Sequence, residues 1–90
     1  MAGVKKFVDI DLKLEKKRIG LRLKQIRKSM GYTSHETFAY ENGFDRAQYG
    51  KYEAGSSNLT LGTLIKLLNV MKTMPSDFFN GDYDRIDLNS

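Results

Sequence analysis

The 90-residue chain contains no cysteine and no tryptophan, with only one histidine and one proline. Without cysteine, neither a disulfide nor a thiolate metal site can hold the fold, and nothing points to an oxidising compartment. The sequence also has no HExxH pattern and no phosphate-cradling glycine loop, so the usual constellations of nucleophilic, metal and nucleotide chemistry are absent. We therefore expect no catalytic activity, no cofactor and no metal ion.

Long apolar runs are also missing. No stretch approaches the roughly 18 residues of a membrane span, and the lysine-bearing start has no signal-peptide core. Hydrophobic residues make up 40% of the chain and aromatic residues 11%, which is typical of a globular domain. The length fits one domain. We expect a single small cytoplasmic domain without a membrane partner.

Positive charge is concentrated in the first third of the chain. Residues 1–31 carry ten Lys or Arg and three Asp or Glu, whereas residues 32–90 carry five and eight. A local positive field favours a polyanion such as nucleic acid or an anionic membrane surface, although such a run is most often a solvated helix face. Against the membrane surface, the apolar positions of the basic segment match a helical core and are unavailable to lipid.

Both chain ends have patterns closer to strands than to helices. Near the start, apolar residues alternate with polar ones, which is the period of a strand. These alternating residues are Val8, Ile10, Leu12 and Leu14. The segment 83–88 lacks a clean helical period, so the two ends either pair as strands or fray as termini commonly do. We therefore treat residues 1–15 and 82–90 as extensions of a domain at residues 16–81.

Five short helices are predicted between these ends. Helix 1 runs from about Lys16 to Gly31, with apolar residues at helical spacing and basic residues on its other faces. These apolar residues are Ile19, Leu23, Ile26 and Met30. Helix 2 begins at Thr33 or Ser34, either of which can cap it, and closes at Gly43 as a left-handed residue.

Helix 3 is bounded by clear signals. Asp45 caps it, Phe44 and Tyr49 form a hydrophobic staple across its first turn, and Gly55 ends it after about nine residues.

Helices 4 and 5 follow with a short link. Thr60 caps helix 4, and Pro75 begins helix 5, which we expect to end at Gly81. The apolar residues of helix 4 are Leu61, Leu64, Ile65, Leu68 and Met71. Five short helices with tight links predict an all-α bundle.

Helices 2 and 3, joined through Asn42, Gly43 and Phe44, have the geometry of a helix-turn-helix, whose second helix enters the DNA major groove. Further residues at family positions are Ile19-Gly20-Leu21-Arg22-Leu23, Ile26-Arg27, Ser34-His35-Glu36, Phe38-Ala39, Asp45-Arg46, Tyr52-Glu53, Gly55, Leu61, Thr63-Leu64-Ile65-Lys66-Leu67 and Asp77-Phe78-Phe79. Over roughly residues 19–79 the sequence resembles the lambda-repressor-like, Cro-type or XRE family. The resemblance implies a compact five-helix DNA-binding domain and a salt bridge between Arg27 and Glu53.

Four positions depart from the family pattern. His35 replaces the usual glutamine at the start of helix 2, and Gly50 stands where the family has a side chain. Leu59 replaces a loop proline, and Lys72 replaces the glycine after helix 4. Because two of these positions lie on the DNA-facing surface, base preference cannot be borrowed from a relative.

Helix 3 supplies the candidate base readers. Arg46 can bond guanine O6 and N7 together, unless it contacts only phosphate, and Gln48 can bond adenine N6 and N7, unless it folds back as a capping-box acceptor. Ala47 offers a methyl group suited to thymine, or is a bystander. Lys51 is expected on a phosphate because lysine acts as a point charge.

Three further residues are candidate DNA contacts. Gly50 either allows close approach to DNA or weakens its helix by about 1 kcal/mol relative to alanine. His35 at a helix start can donate to phosphate, or is a surface residue. Asn58, in the loop after helix 3, is a phosphate donor or a turn former.

These residues predict a sequence-specific double-stranded DNA-binding transcriptional regulator, with repression as the expected effect and helix 3, at about residues 45–54, in the major groove. A homodimer is expected on a roughly palindromic site with half-sites about 34–36 Å apart, because one short helix reads too few base pairs. The alternative is an antitoxin that binds a toxin protein and its own operator. The sequence itself does not choose between them.

Overall fold

The computed structural model describes residues 8–89. The helices are α1 Leu12–Ser29, α2 His35–Glu41, α3 Arg46–Ala54, α4 Leu61–Val70 and α5 Pro75–Phe78, and a 3-10 turn follows at Tyr83–Arg85. No strand occurs within the described range. The all-α, five-helix class predicted from the sequence is confirmed.

Helix α1 begins earlier than the sequence suggested. The side chain of Asp11 accepts a hydrogen bond from the backbone N–H of Leu14 at 2.9 Å and so caps the helix. The negative charge of Glu15 in the first turn stabilises the helix through its interaction with the positive end of the helix dipole. The strand predicted over 8–14 is therefore wrong. An alternation of only four apolar residues does not favour a strand enough to outweigh the helix that Asp11 caps. No partner strand is present among residues 8–89.

One large side chain from each helix forms the centre of the core. These fully buried side chains are Leu23, Phe38, Tyr49, Leu67 and Phe78. Burying each of the two leucines and two phenylalanines contributes about 1.5–3 kcal/mol relative to exposure. All five helices therefore depend on the same core, and α2 and α3 cannot shift without disturbing the other three.

The structure confirms the predicted N-terminal caps of α2, α3 and α4. Ser34, rather than Thr33, caps α2 by accepting from two backbone N–H groups at 3.2 Å. Asp45 caps α3 at 2.8 Å and Thr60 caps α4 at 3.1 Å. Gly55 ends α3 with a left-handed φ of 73°.

The predicted end of helix 5 at Gly81 is wrong, because α5 stops at Phe78. The chain leaves helical geometry at Phe79, where ψ is 46°. The ring of Phe79 then packs edge-on against that of Tyr83, with centroids 5.0 Å apart. The chain thus turns back after a single helical turn.

The C-terminal segment is held against α1. The buried hydroxyl of Tyr83 donates to the carboxylate of Glu15 at 2.9 Å, and Arg18 donates to the backbone carbonyl of Asp84 at 2.9 Å. Burial, and secondarily the hydrogen bond to Glu15, raise the pKa of Tyr83. Arg22 donates to the carbonyl of Phe78 at 2.9 Å. The segment that starts at Tyr83 is thus neither a strand nor a frayed end.

Helices α1 and α3 touch backbone to backbone. A Cβ atom at Gly20 would lie 2.5 Å from the carbonyl oxygen of Tyr52 and closer still to that of Glu53. At Gly55 a Cβ atom would lie 2.7 Å from the Cα of Lys17. These distances leave no room for a side chain, so the two glycines allow the end of α3 to sit directly on α1.

Candidate nucleic-acid interface

The turn between α2 and α3 is held by its own hydrogen bonds and rings. The backbone N–H of Phe44 donates to the carbonyl of Ala39 at 2.8 Å, and the side-chain amide of Asn42 donates to that of Phe38 at 2.8 Å. The Phe44 ring lies 6.5 Å from that of Tyr49, which confirms the predicted staple. The two helices therefore keep a constant mutual orientation.

A buried ion pair fastens α3 to α1. Arg27 contacts both carboxylate oxygens of Glu53, at 2.7 and 3.0 Å, and donates to the carbonyl of Tyr32 at 2.9 Å. The two side chains are only 4% and 9% exposed. The hydrogen bond to Glu53 raises the pKa of Arg27 despite burial. The predicted structural role of this pair is confirmed.

Next to this pair, the Tyr49 hydroxyl is buried without a hydrogen-bond partner in the described part of the chain. Burial is the largest reason that its pKa is raised, and the nearby Glu53 raises it further. Tyr49 therefore stays neutral and acts as a core residue.

The outward face of α3 carries most of the predicted DNA contacts. Arg46, Ala47 and Lys51 are all exposed. The guanidinium carbon of Arg46 lies 5.8 Å from the ring centroid of Tyr40, a cation–π distance. Tyr40 itself is 73% exposed on α2. The sequence analysis missed Tyr40, although a large aromatic residue off the core stripe of α2 was a signal for it.

Gln48 is half-buried and already engaged. Its side-chain amide donates to the hydroxyl of Ser57 at 2.9 Å, in the loop after α3. The backbone N–H of the same residue is used by the Asp45 cap. The fold-back onto the helix start is not what the structure shows. Ser57 uses one N–H of the side-chain amide, which leaves the second N–H and Oε1 for a base.

His35 and Gly50 lie against each other. A Cβ atom at Gly50 would fall 2.9 Å from Nε2 and 3.2 Å from Cδ2 of His35. The imidazole therefore uses the space that any side chain at position 50 would take. The sequence analysis considered DNA approach or a weakened helix for this glycine, and the structure adds room for His35 as a third reason.

Asn58 lies in a different part of the surface. It is exposed in the loop before α4 and lines a shallow groove with Leu12, Ile19 and Tyr52. The cleft that contains His35 and Gly50 is lined by other residues. The structure therefore brings His35 and Gly50 together and leaves Asn58 apart from them.

Across residues 8–89, no three His, Asp or Glu side chains come together to hold a metal ion. No helix in this range is both long and apolar enough to cross a membrane.

Comparison with known proteins agrees with this geometry. The helix-turn-helix family model matches residues 23–79. The SPbeta prophage-derived uncharacterized HTH-type transcriptional regulator YonR of Bacillus subtilis (strain 168) is 39% identical over 69 residues, covering 77% of this chain and 63% of that protein. The chain thus spans less than two thirds of the length of this relative.

A solved structure shares the fold. The restriction-modification controller protein C.AhdI from Aeromonas hydrophila is 32% identical, with a TM-score of 0.64, over 72% of this chain and 97% of that chain. The family match covers more than half of the chain and includes α2, the turn and α3. The chain therefore belongs to the helix-turn-helix family, in its lambda-repressor-like, Cro-type or XRE branch.

Proposed function

We propose that the protein is a sequence-specific double-stranded DNA-binding transcriptional regulator that acts as a repressor. Its DNA-binding domain is residues 16–81, and α3 enters the major groove. The observation that carries the proposal is the exposure of Arg46, Ala47 and Lys51 on α3, while Tyr49 is buried in the core and Glu53 pairs with Arg27 of α1. The similar proteins, named a transcriptional regulator and a controller protein, support this function and give no support to a toxin partner.

The decisive experiment is selection from a random duplex library followed by sequencing. A sequence-specific regulator should return a defined, roughly palindromic motif. Weak binding without any enriched sequence would contradict the proposal. Selection with Lys51→Ala in parallel serves as a control, because removal of a phosphate-binding side chain should weaken binding without changing the motif.

Two residues separate base reading from phosphate binding. Arg46→Ala should cost about 1–3 kcal/mol on the selected site, with relaxed preference at one base pair and little effect on random DNA. Lys51→Ala should weaken both DNAs by similar factors and reduce the slope of log K against log salt by about one per subunit. If the two patterns are exchanged, α3 lies in the groove with a different rotation.

The remaining assignments of the DNA surface form part of the same proposal. Gln48 reads adenine, and Ala47 contacts a thymine methyl group. His35 and Asn58 donate to phosphate. Gly50 contributes through the room that it leaves for His35.

We also propose a homodimer formed through α5 and the exposed side of α4. Four large apolar residues are exposed there, namely Leu61, Ile65, Met74 and Phe79. Light scattering should show a dimer on the selected DNA. Met74→Glu should weaken it, whereas Leu14→Glu on the exposed start of α1 should not. A wild-type monomer, both free and on DNA, would contradict the dimer.

A further inference from the structure

Tyr40 and Arg46 meet across the turn between α2 and α3. The guanidinium carbon of Arg46 lies over the Tyr40 ring, 5.8 Å from its centroid, which is within the range of a cation–π contact. Tyr40 is 73% exposed, although aromatic residues of this size are mostly buried. The ring therefore lies outside the core, beside the side chain that is proposed to read a base.

Two other arginines lie over aromatic rings, but their donors are used within the protein. Arg18 is 5.7 Å from the ring centroid of Tyr83 and also donates to a backbone carbonyl. Arg22 is 5.9 Å from that of Phe78 and donates to two backbone carbonyls. Within residues 8–89, the hydrogen bonds and ion pairs of arginine side chains belong to other arginines and none to Arg46. Its donors are thus left for an external acceptor.

The acidic residues nearest to this pair in the sequence are engaged elsewhere. Glu41 accepts a hydrogen bond from the Tyr32 hydroxyl at 3.1 Å, and Asp45 accepts the backbone N–H of Gln48 at 2.8 Å. Neither carboxylate forms an ion pair with Arg46 in the described part of the chain. A carboxylate in that place would occupy the donors of the guanidinium, whereas an aromatic ring does not.

An aromatic ring and a guanine use different parts of a guanidinium. The five N–H donors lie in the plane of the group, whereas an aromatic ring attracts its positive charge through the faces. Contact through a face therefore leaves the donor fork for O6 and N7 of guanine. A side chain held over a ring also has fewer rotamers to lose, so less conformational entropy is lost when it bonds the base.

We propose that Tyr40 is a positioning residue for base reading, whose ring holds the Arg46 guanidinium in the orientation that bonds guanine. The proposal rests on the proposed function, because it requires Arg46 to read a base in the major groove. It assigns part of the base preference of α3 to a residue of α2 that contacts no base. The ring of Tyr40, rather than its hydroxyl, carries this role.

The first test measures base preference. On the selected duplex, Tyr40→Leu should weaken binding about twofold to fivefold, the strength of an exposed cation–π contact, and should relax preference at the same base pair as Arg46→Ala. Binding to random DNA should stay at the wild-type level. Tyr40→Phe is the matched control, because it keeps the ring and should keep wild-type preference. In the Arg46→Ala background, Tyr40→Leu should have no further effect.

The outcomes of this test are distinguishable from failure of the proposed function. If Arg46→Ala leaves base preference unchanged, Arg46 reads no base and the role of Tyr40 is overturned with it. If Arg46→Ala relaxes the preference but Tyr40→Leu does not, only the role of Tyr40 is overturned. Equal weakening by Tyr40→Phe and Tyr40→Leu, on selected and random DNA alike, would assign the hydroxyl to a phosphate and would also overturn the proposal.

The second test requires no DNA. Because an aromatic ring shifts the NMR resonances of groups over its face, Tyr40→Leu should move the Nε–H and Cδ–H resonances of Arg46 in the free protein. Tyr40→Phe should leave them near their wild-type positions, and those of Arg85 at the other end of the chain should move in neither variant. Arg46 resonances that are unchanged by Tyr40→Leu would overturn the proposal, whatever the protein binds.

Discussion

Helices α3 and α4 are similar in length but are held in place in different ways. Within α4, Leu64, Leu67 and Leu68 are buried, whereas Tyr49 is the only buried residue of α3. Instead, α3 depends on the Asp45 cap, on its ion pair with α1 and on backbone contact. A helix that presents one face to a partner cannot bury that face, so directional polar contacts replace apolar area.

The largest effect on stability is expected when the ion pair between α3 and α1 is broken. Glu53→Ala leaves the Arg27 guanidinium buried without its carboxylate and should lower the free energy of unfolding by about 3–5 kcal/mol. Denaturant unfolding measures the change. Glu53→Gln, which keeps an acceptor but not the charge, should cost less. If Glu53→Ala lowers the free energy of unfolding by less than about 1 kcal/mol, α3 is held mainly by apolar contacts.

Helix α4 should be weakened most by a cavity. Leu67 is fully buried, and Leu67→Ala should lower the free energy of unfolding by about 2–5 kcal/mol, depending on how far the core closes around the space. Asn69→Ala, at an exposed position of the same helix, is the control and should change little. Measured at a temperature where both variants are folded, DNA preference should be unchanged.

The caps provide a smaller test of the same difference. Removal of either cap should lower the free energy of unfolding by about 1 kcal/mol. The two losses should differ in how much of the helix they expose to hydrogen exchange. Asp45→Ala should speed amide hydrogen exchange through the first turn of α3, because Tyr49 is the only buried residue of that helix. Thr60→Ala should leave exchange in α4 nearly unchanged. Similar exchange in both variants would show that burial does not distinguish the two helices.

The smallest effect is expected at the end of α4. Lys72 has a φ of 52°, in the left-handed region, and is the one non-glycine residue there with positive φ among residues 8–89. Lys72→Gly should raise the free energy of unfolding by about 0.5–1 kcal/mol, since glycine avoids the steric cost that exceeds its own entropy loss. Thermal unfolding measures it. Lys72→Ala, which keeps the strain, should show no such gain.

Local signals in the sequence predicted most of this fold. Caps such as Asp45 and Thr60, and the stop at Gly55, act within one turn and so can be read from neighbouring residues. The strand expected near the start shows the limit of local signals. From the sequence alone, a short apolar alternation that favours a strand cannot be compared in strength with one aspartate that caps a helix. The role of Tyr83 required knowledge of a residue 68 positions away.

The candidate site was predicted less completely than the fold. Exposure of Arg46 and Lys51 followed from their place in helix 3, but the partners of Gln48 and Gly50 did not. Ser57 lies beyond the end of the helix, and His35 lies in the preceding one, so neither contact has a periodic signature. The departures at His35 and Gly50 were visible singly, whereas their connection is a property of the folded chain.

The contact of Gly20 and Gly55 with the opposing backbones has a consequence for the shape of the target. Side chains between two helices can change rotamer and let the helices tilt, but two backbones in contact offer no such adjustment. If α3 enters the major groove as proposed, it has little freedom to change its angle to α1 when the groove width is imperfect, and the deformation energy falls on the DNA. Flexible pyrimidine–purine steps should then be favoured at positions that no side chain touches.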